Sequence, residues 1–239
     1  MKIAICLSGY VGTMKKFHHL QSQGQVNILE GYETIKKNVI GGHDTDIFVH
    51  SWDTSRKDEI LQTYDPHQYI IEPQKNDLKL IPGISRPEST SEFAVLSQLY
   101  SRKKVIEMVL KYEKENYFKY DWVWLGRFDM AYLKKFEYDK LDNSFLYFAG
   151  PNQNHKVNDI YYLSNSTNME KVVEAYDYMA RRKLQDGFNV HEVLGRYFVE
   201  TGLWNKKRFY MHRPWGPTRW NKIADINPLR MRPSAAKTS

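Results

Sequence analysis

The sequence has one cysteine, Cys6, among 239 residues. No internal disulfide is available, so a disulfide-stapled secreted scaffold is excluded, and so is a zinc site of four thiolates. Long apolar runs are missing as well: nothing approaches the roughly 20 residues of a membrane span. The amino terminus, Met1-Lys2-Ile3-Ala4-Ile5-Cys6-Leu7, starts like a signal peptide, but only five apolar residues in a row precede Ser8-Gly9. A signal segment needs about 7–15. The run reads instead as a buried first strand, which leads to the expectation of a cytoplasmic protein, with peripheral contact at a membrane surface still open. Several chemical signatures are absent too. There is no phosphate loop GxxxxGK[ST], no dinucleotide fingerprint GxGxxG, no HExxH and no GxSxG elbow. The nearest feature, Gly9-Tyr10-Val11-Gly12, fits a backbone approach to a ligand or a plain turn equally well.

Acidic residues are scarce at one end. The chain carries 35 Lys and Arg against 28 Asp and Glu, a formal charge of +7. From Leu203 to Ser239 there are nine bases and one acid, Asp225, a local charge of +8 that leaves −1 for residues 1–202. The picture is a near-neutral domain with one basic end, which points to a local anion site or a tail rather than a body coated in nucleic acid.

What is present is an alternation of strands and helices. Apolar runs at 2–7, 46–52, 68–72, 120–125, 144–149 and 159–163 read as strands, with a last one at 207–211. The spacing of Val95, Leu96, Leu99, Val105, Ile106, Val109 and Leu110 predicts a helix over 91–112. Further helices are predicted over 167–183 and 190–201 and in the later half of 13–40; residues 73–87 read as a loop. The fold class is α/β: one Rossmann-like domain with a mostly parallel central sheet flanked by helices. Ligands bind beyond the carboxyl ends of strands in such sheets, which singles out Ser8–Gly12, His50–Asp53 and Gly126–Asp129.

Three motifs carry candidate chemistry. Arg127-Phe128-Asp129 ends a strongly apolar strand, where charge needs a reason. It is either an internal salt bridge, or an anion-and-metal pair in which Asp129 ligates a divalent cation and Arg127 orients it or touches phosphate. Met211 to Trp220 combines His212 with Arg213, Arg219, two tryptophans and rigid turns, and reads as a packed strap that can also reach a ligand. His191-Glu192 opens a helix. An acid there is favoured by the helix dipole, and it can also serve as a general base. By contrast, Asp44-Thr45-Asp46 is a literal Asp-x-Asp at the amino end of its strand, away from the predicted site.

The order of these motifs is familiar. The opening strand ending in Ser-Gly is followed by Asp46-Ile47-Phe48-Val49-His50-Ser51-Trp52 and by the Ser97–Ser101 helix segment. Tyr120 to Met130 and the late His-Glu helix complete the series. Over roughly residues 1–215 the chain resembles small GT-A-type glycosyltransferases of bacterial surface-polysaccharide pathways and large DNA viruses. The resemblance implies a GT-A-like domain over 1–226, including the basic strap, with 227–239 as a flexible tail. It implies transfer of a sugar from a nucleoside-diphosphate sugar, with a UDP-sugar expected, to a glycan or other hydroxyl acceptor. It also implies Mn²⁺ or Mg²⁺ held by Asp129 and His212, although the Asp-x-Asp position here reads Arg127-Phe128-Asp129, so only the second acid survives. Ser8, Gly9 and Tyr10 would surround the base and ribose. Gln98, Arg102 and Lys103 would face the nucleotide or diphosphate, and Arg213, Arg219 and Arg127 would add positive charge. Glu192, then Asp159, would be the acceptor-side base of an inverting reaction. Three other readings compete: a non-catalytic GT-A-like scaffold, a binder of single-stranded nucleic acid using the basic end, and a nucleotidyltransferase. No nucleic-acid partner is expected on the main reading.

Overall fold

Ile3, Ala4, Ile5, Cys6 and Leu7 are all fully buried, because the strand they form has neighbours on both edges and helices on both faces. In the computed structural model the described residues are 1–11, 13–14, 24–25, 27–75, 92–149, 157–181, 190–210 and 215–217. The strands are β1 (Lys2–Gly9), β2 (Thr13–Met14), β3 (Gly24–Gln25), β4 (Asp44–Ser51), β5 (Gln68–Ile71), β6 (Trp122–Arg127), β7 (Met130–Tyr132), β8 (Leu146–Phe148), β9 (Tyr162–Ser164), β10 (Lys207–Phe209) and β11 (Trp215–Pro217). The helices are α1 (Ile28–Ile35), α2 (Lys57–Tyr64), α3 (Glu92–Glu115), α4 (Ser166–Val173), α5 (Ala175–Arg181), α6 (Val190–Glu200) and α7 (Leu203–Lys206).

Seven strands form one sheet in the order β5-β4-β1-β6-β9-β8-β10. Only β9 runs antiparallel to its neighbours, β6 and β8. The sheet is thus mostly parallel and the α/β, Rossmann-like class is as expected. Strand alternation divides the core. Ala4, Cys6, Phe48, Val123 and Leu125 pack with α3, α4 and α6 on one face. Ile3, Ile5, Leu7, Val49, Trp122 and Trp124 pack with α1 and α2 on the other. The chain winds outward from β1 through β4 to β5, then returns by α3 across the opposite face to place β6 on the free edge of β1. The strand order reverses between β1 and β6, so the crevice beyond their carboxyl ends is where a ligand site is expected.

Several boundaries differ from the sequence expectation. The helix expected over 167–183 is divided at Glu174, whose ψ of −13° tightens the turn. Backbone bonds Glu174 N–H to Glu170 O and Tyr178 N–H to Glu174 O still carry across the break. The strand expected to begin at Asp159 begins at Tyr162. The Asn158 side chain accepts from the Ile160 N–H at 3.1 Å, a local turn that competes with the ladder. Asp159 therefore lies in a connection, turned toward α3. Helix α2 and strand β7 had no counterpart in the sequence reading. β7 pairs antiparallel with β11, which sets Pro217 of the C-terminal strap opposite Met130, the residue after Asp129. No helix of the described residues is long and apolar enough to cross a membrane.

Candidate functional site

Parallel register sets the site's frame. Ser8 on β1 lies opposite Arg127 on β6 and opposite His50 on β4. Ser8 is buried, and the chain then turns out of the sheet at Gly9, whose φ of +113° is one that L side chains rarely adopt. The Gly9 carbonyl accepts from the Trp52 N–H, joining the ends of β1 and β4. Tyr10 follows and is 55% exposed.

Charged groups converge beside this frame. The Arg127 guanidinium forks onto Asp129: Nε donates to Oδ1 and Nη2 to Oδ2, both at 2.8 Å. Its Nη1 lies 3.5 Å from Asp159 Oδ2. Gln98 Nε2 donates to the same Asp159 oxygen at 2.8 Å, and Arg102 Nη2 donates to the Asp159 carbonyl. The side chains of Arg127, Asp129 and Asp159 are 25%, 14% and 13% exposed. Burial opposes ionisation of Asp159. The charges of Arg127 and Arg102, the Gln98 hydrogen bond and nearby His191 outweigh it and hold the carboxyl below the usual range. Burial likewise opposes the Arg127 charge, and Asp129 and Asp159 more than offset it, so its pKa rises further.

This network joins Arg127, Asp129, Asp159, Gln98 and Arg102 from three segments of the chain: α3, the end of β6 and the connection before β9. Lys103 is not part of it: its Nζ pairs with Asp177 of α5 at 2.5 Å and lies over the Tyr176 ring. Glu192 is exposed in the first turn of α6. Beside it, His191 is held twice by residue 157: its Nδ1 contacts the Val157 carbonyl at 2.7 Å, and its own carbonyl accepts from the Val157 N–H at 3.1 Å. A carbonyl only accepts, so Nδ1 carries the proton in that contact. Asp46 sits at the opposite end of the sheet, paired with Lys2 at 3.0 Å and with the Tyr120 hydroxyl at 2.5 Å. His212, Arg213, Arg219, Gly12 and the tail 227–239 lie outside the described residues.

A divalent cation fits the described donors poorly. Among the described residues no three His, Cys, Asp or Glu side chains converge as metal ligands. Both Asp129 oxygens already accept from a guanidinium.

One cluster beneath the site was missed by the sequence reading. His50 is fully buried, with Nδ1 2.7 Å from Ser101 Oγ and Nε2 3.3 Å from Glu72 Oε1. The Glu72 carboxylate can only accept, so Nε2 carries the ring proton and donates to it, and Nδ1 accepts from the Ser101 hydroxyl. Burial lowers the His50 pKa and Lys104 adds to this, against the pull of Glu72. The sequence shows His50 and Ser101 as separate motif members, 51 residues apart, and gives no sign that they touch. Arg102 was expected to reach a nucleotide. It is 3% exposed and lies over the Tyr162 ring, 5.2 Å from its centroid. No protein-family model matches the chain, and no curated protein matches it.

Proposed function

We propose that this protein is a glycosyltransferase that moves a sugar from a nucleoside-diphosphate sugar to a hydroxyl acceptor. One observation carries the reading: a part-buried network of two carboxylates, two guanidiniums and an amide stands at the strand-order switch, beside the turn of Ser8, Gly9 and Tyr10. Groups of this kind, held rigid by one another, read hydroxyls and developing charge without reorganising. A UDP-sugar and a glycan are the donor and acceptor the resemblance favours, and Tyr10 offers an exposed ring to a base. In the reaction the acceptor oxygen bonds to the anomeric carbon as the bond from that carbon to the diphosphate oxygen breaks. The acceptor proton passes to a carboxylate if the configuration inverts. Asp159 is ionised and fixed; Glu192 is the exposed alternative at the start of α6.

A thermal-shift screen of UDP-, GDP- and dTDP-sugars tests the proposal. A ligand at a hundred times its Kd stabilises by about 2.7 kcal/mol, or roughly 5–10 °C in a chain of this size. A stabilising sugar nucleotide should then be consumed when acceptors are added. If none of these nucleotides shifts the melting temperature, the transferase reading fails.

A further inference from the structure

We propose that Asp129 is the counter-ion of Arg127 rather than a metal ligand, and that the Arg127 guanidinium fills the place a divalent cation would take at this crevice. The inference deepens the transferase reading and rests on it for the nucleotide, though not for the metal.

Asp129 Oδ1 and Oδ2 each accept a charge-assisted hydrogen bond of 2.8 Å from the same guanidinium. This two-point fork is the strong form of the Arg–carboxylate contact. The third guanidinium nitrogen reaches toward Asp159 at 3.5 Å, so one planar cation spans both acids. Mn²⁺ or Mg²⁺ at Asp129 would have to expel Arg127 from the fork, or sit against it with like charge at close range in a part-buried setting.

A hard divalent cation needs carboxylate charge that nothing else has neutralised. Here Asp129 and Asp159 contribute two negative charges, and Arg127 and Arg102, both on the same network, contribute two positive ones. The acids are already neutralised. Arg102 is 3% exposed and its Nη1 has no hydrogen-bond partner, so the balance is built into the interior. A neutral cluster lacks the negative charge that draws in a divalent ion, and it also does not repel a diphosphate.

Two binding measurements on the full chain test this without relying on turnover. In the first, Mn²⁺ alone is titrated into the wild-type protein and Asp129→Asn, and free Mn²⁺ is followed by electron paramagnetic resonance. The expected result is no uptake, or uptake of equal strength in both proteins. Uptake by the wild type that Asp129→Asn weakens about 10-fold or more would overturn the proposal. In the second, calorimetry follows UDP and GDP binding to wild type in excess EDTA and again with Mn²⁺. The expected affinities agree within a few fold. Binding that occurs only with Mn²⁺ overturns the proposal and leaves the transferase reading standing. If no nucleotide binds in either condition, the transferase reading fails with the nucleotide part of this one, and the Mn²⁺ titration still decides the role of Asp129.

Discussion

Replacing Arg127 by Met removes the cation and keeps most of the apolar stem. In the folded protein it leaves Asp129 without its two 2.8 Å bonds and Asp159 without its nearest guanidinium. Losing one member of a fully buried pair costs about 3–5 kcal/mol, because the other charge stays desolvated. These carboxylates keep 14% and 13% exposure, and Arg102 remains near Asp159, which places the cost lower, at about 2–3 kcal/mol. In a domain of this length that is a fall of roughly 4–12 °C in melting temperature. The pH dependence has a defined sign. The folded Asp159 pKa is depressed, so its contribution is complete above the unfolded value, near 3.9, and is lost as pH falls through the folded value. The gap between wild type and Arg127→Met should therefore be full at neutral pH and narrow in acid, once Asp159 takes a proton. Thermal melts of both proteins across that range provide the assay. Equal melting temperatures at neutral pH, or a gap that does not narrow in acid, would refute the reasoning.

Gly126→Ala should destabilise the fold by about 1–3 kcal/mol in a urea titration, because an added Cβ would stand 2.1 Å from the Trp124 ring and no rotation of a flexible tip can relieve it. A wild-type midpoint in that variant would show that the indole moves freely. His50 should remain neutral below the ordinary histidine pKa of 6.5, so its ring resonances should not titrate there by NMR. The stability it lends is whole above that pH and is lost as pH falls through its depressed folded value; a His50→Gln protein that retains the same acid-side loss would contradict this.

Much of the scaffold was legible along the chain. β1, β4, β5 and the long helix α3 stand within a few residues of where apolar runs and helical spacing put them, since each signal is local. The Arg127-Phe128-Asp129 motif was also visible, because charge at the end of a buried strand is conspicuous. Its state was not: salt bridge and metal pair have the same sequence. Lys103 shows the same limit from the other side. One residue from Arg102 on α3, it turns to Asp177 instead, and only the helix's rotation against α5 separates the two roles.

What the sequence determined by itself was the class of fold, the strand ends that form the crevice and the residue types available there. These follow from periodicity and from the cost of burying charge, both readable in one dimension. Tertiary structure alone decided which partners meet. It shortened β9 and freed Asp159 to face α3, brought Gln98 to its carboxylate across 61 residues and Arg102 to its backbone carbonyl across 57, and laid β11 beside the residue after Asp129. The reason is physical: a hydrogen bond forms across a few ångströms of space, and distance along the chain does not report that separation.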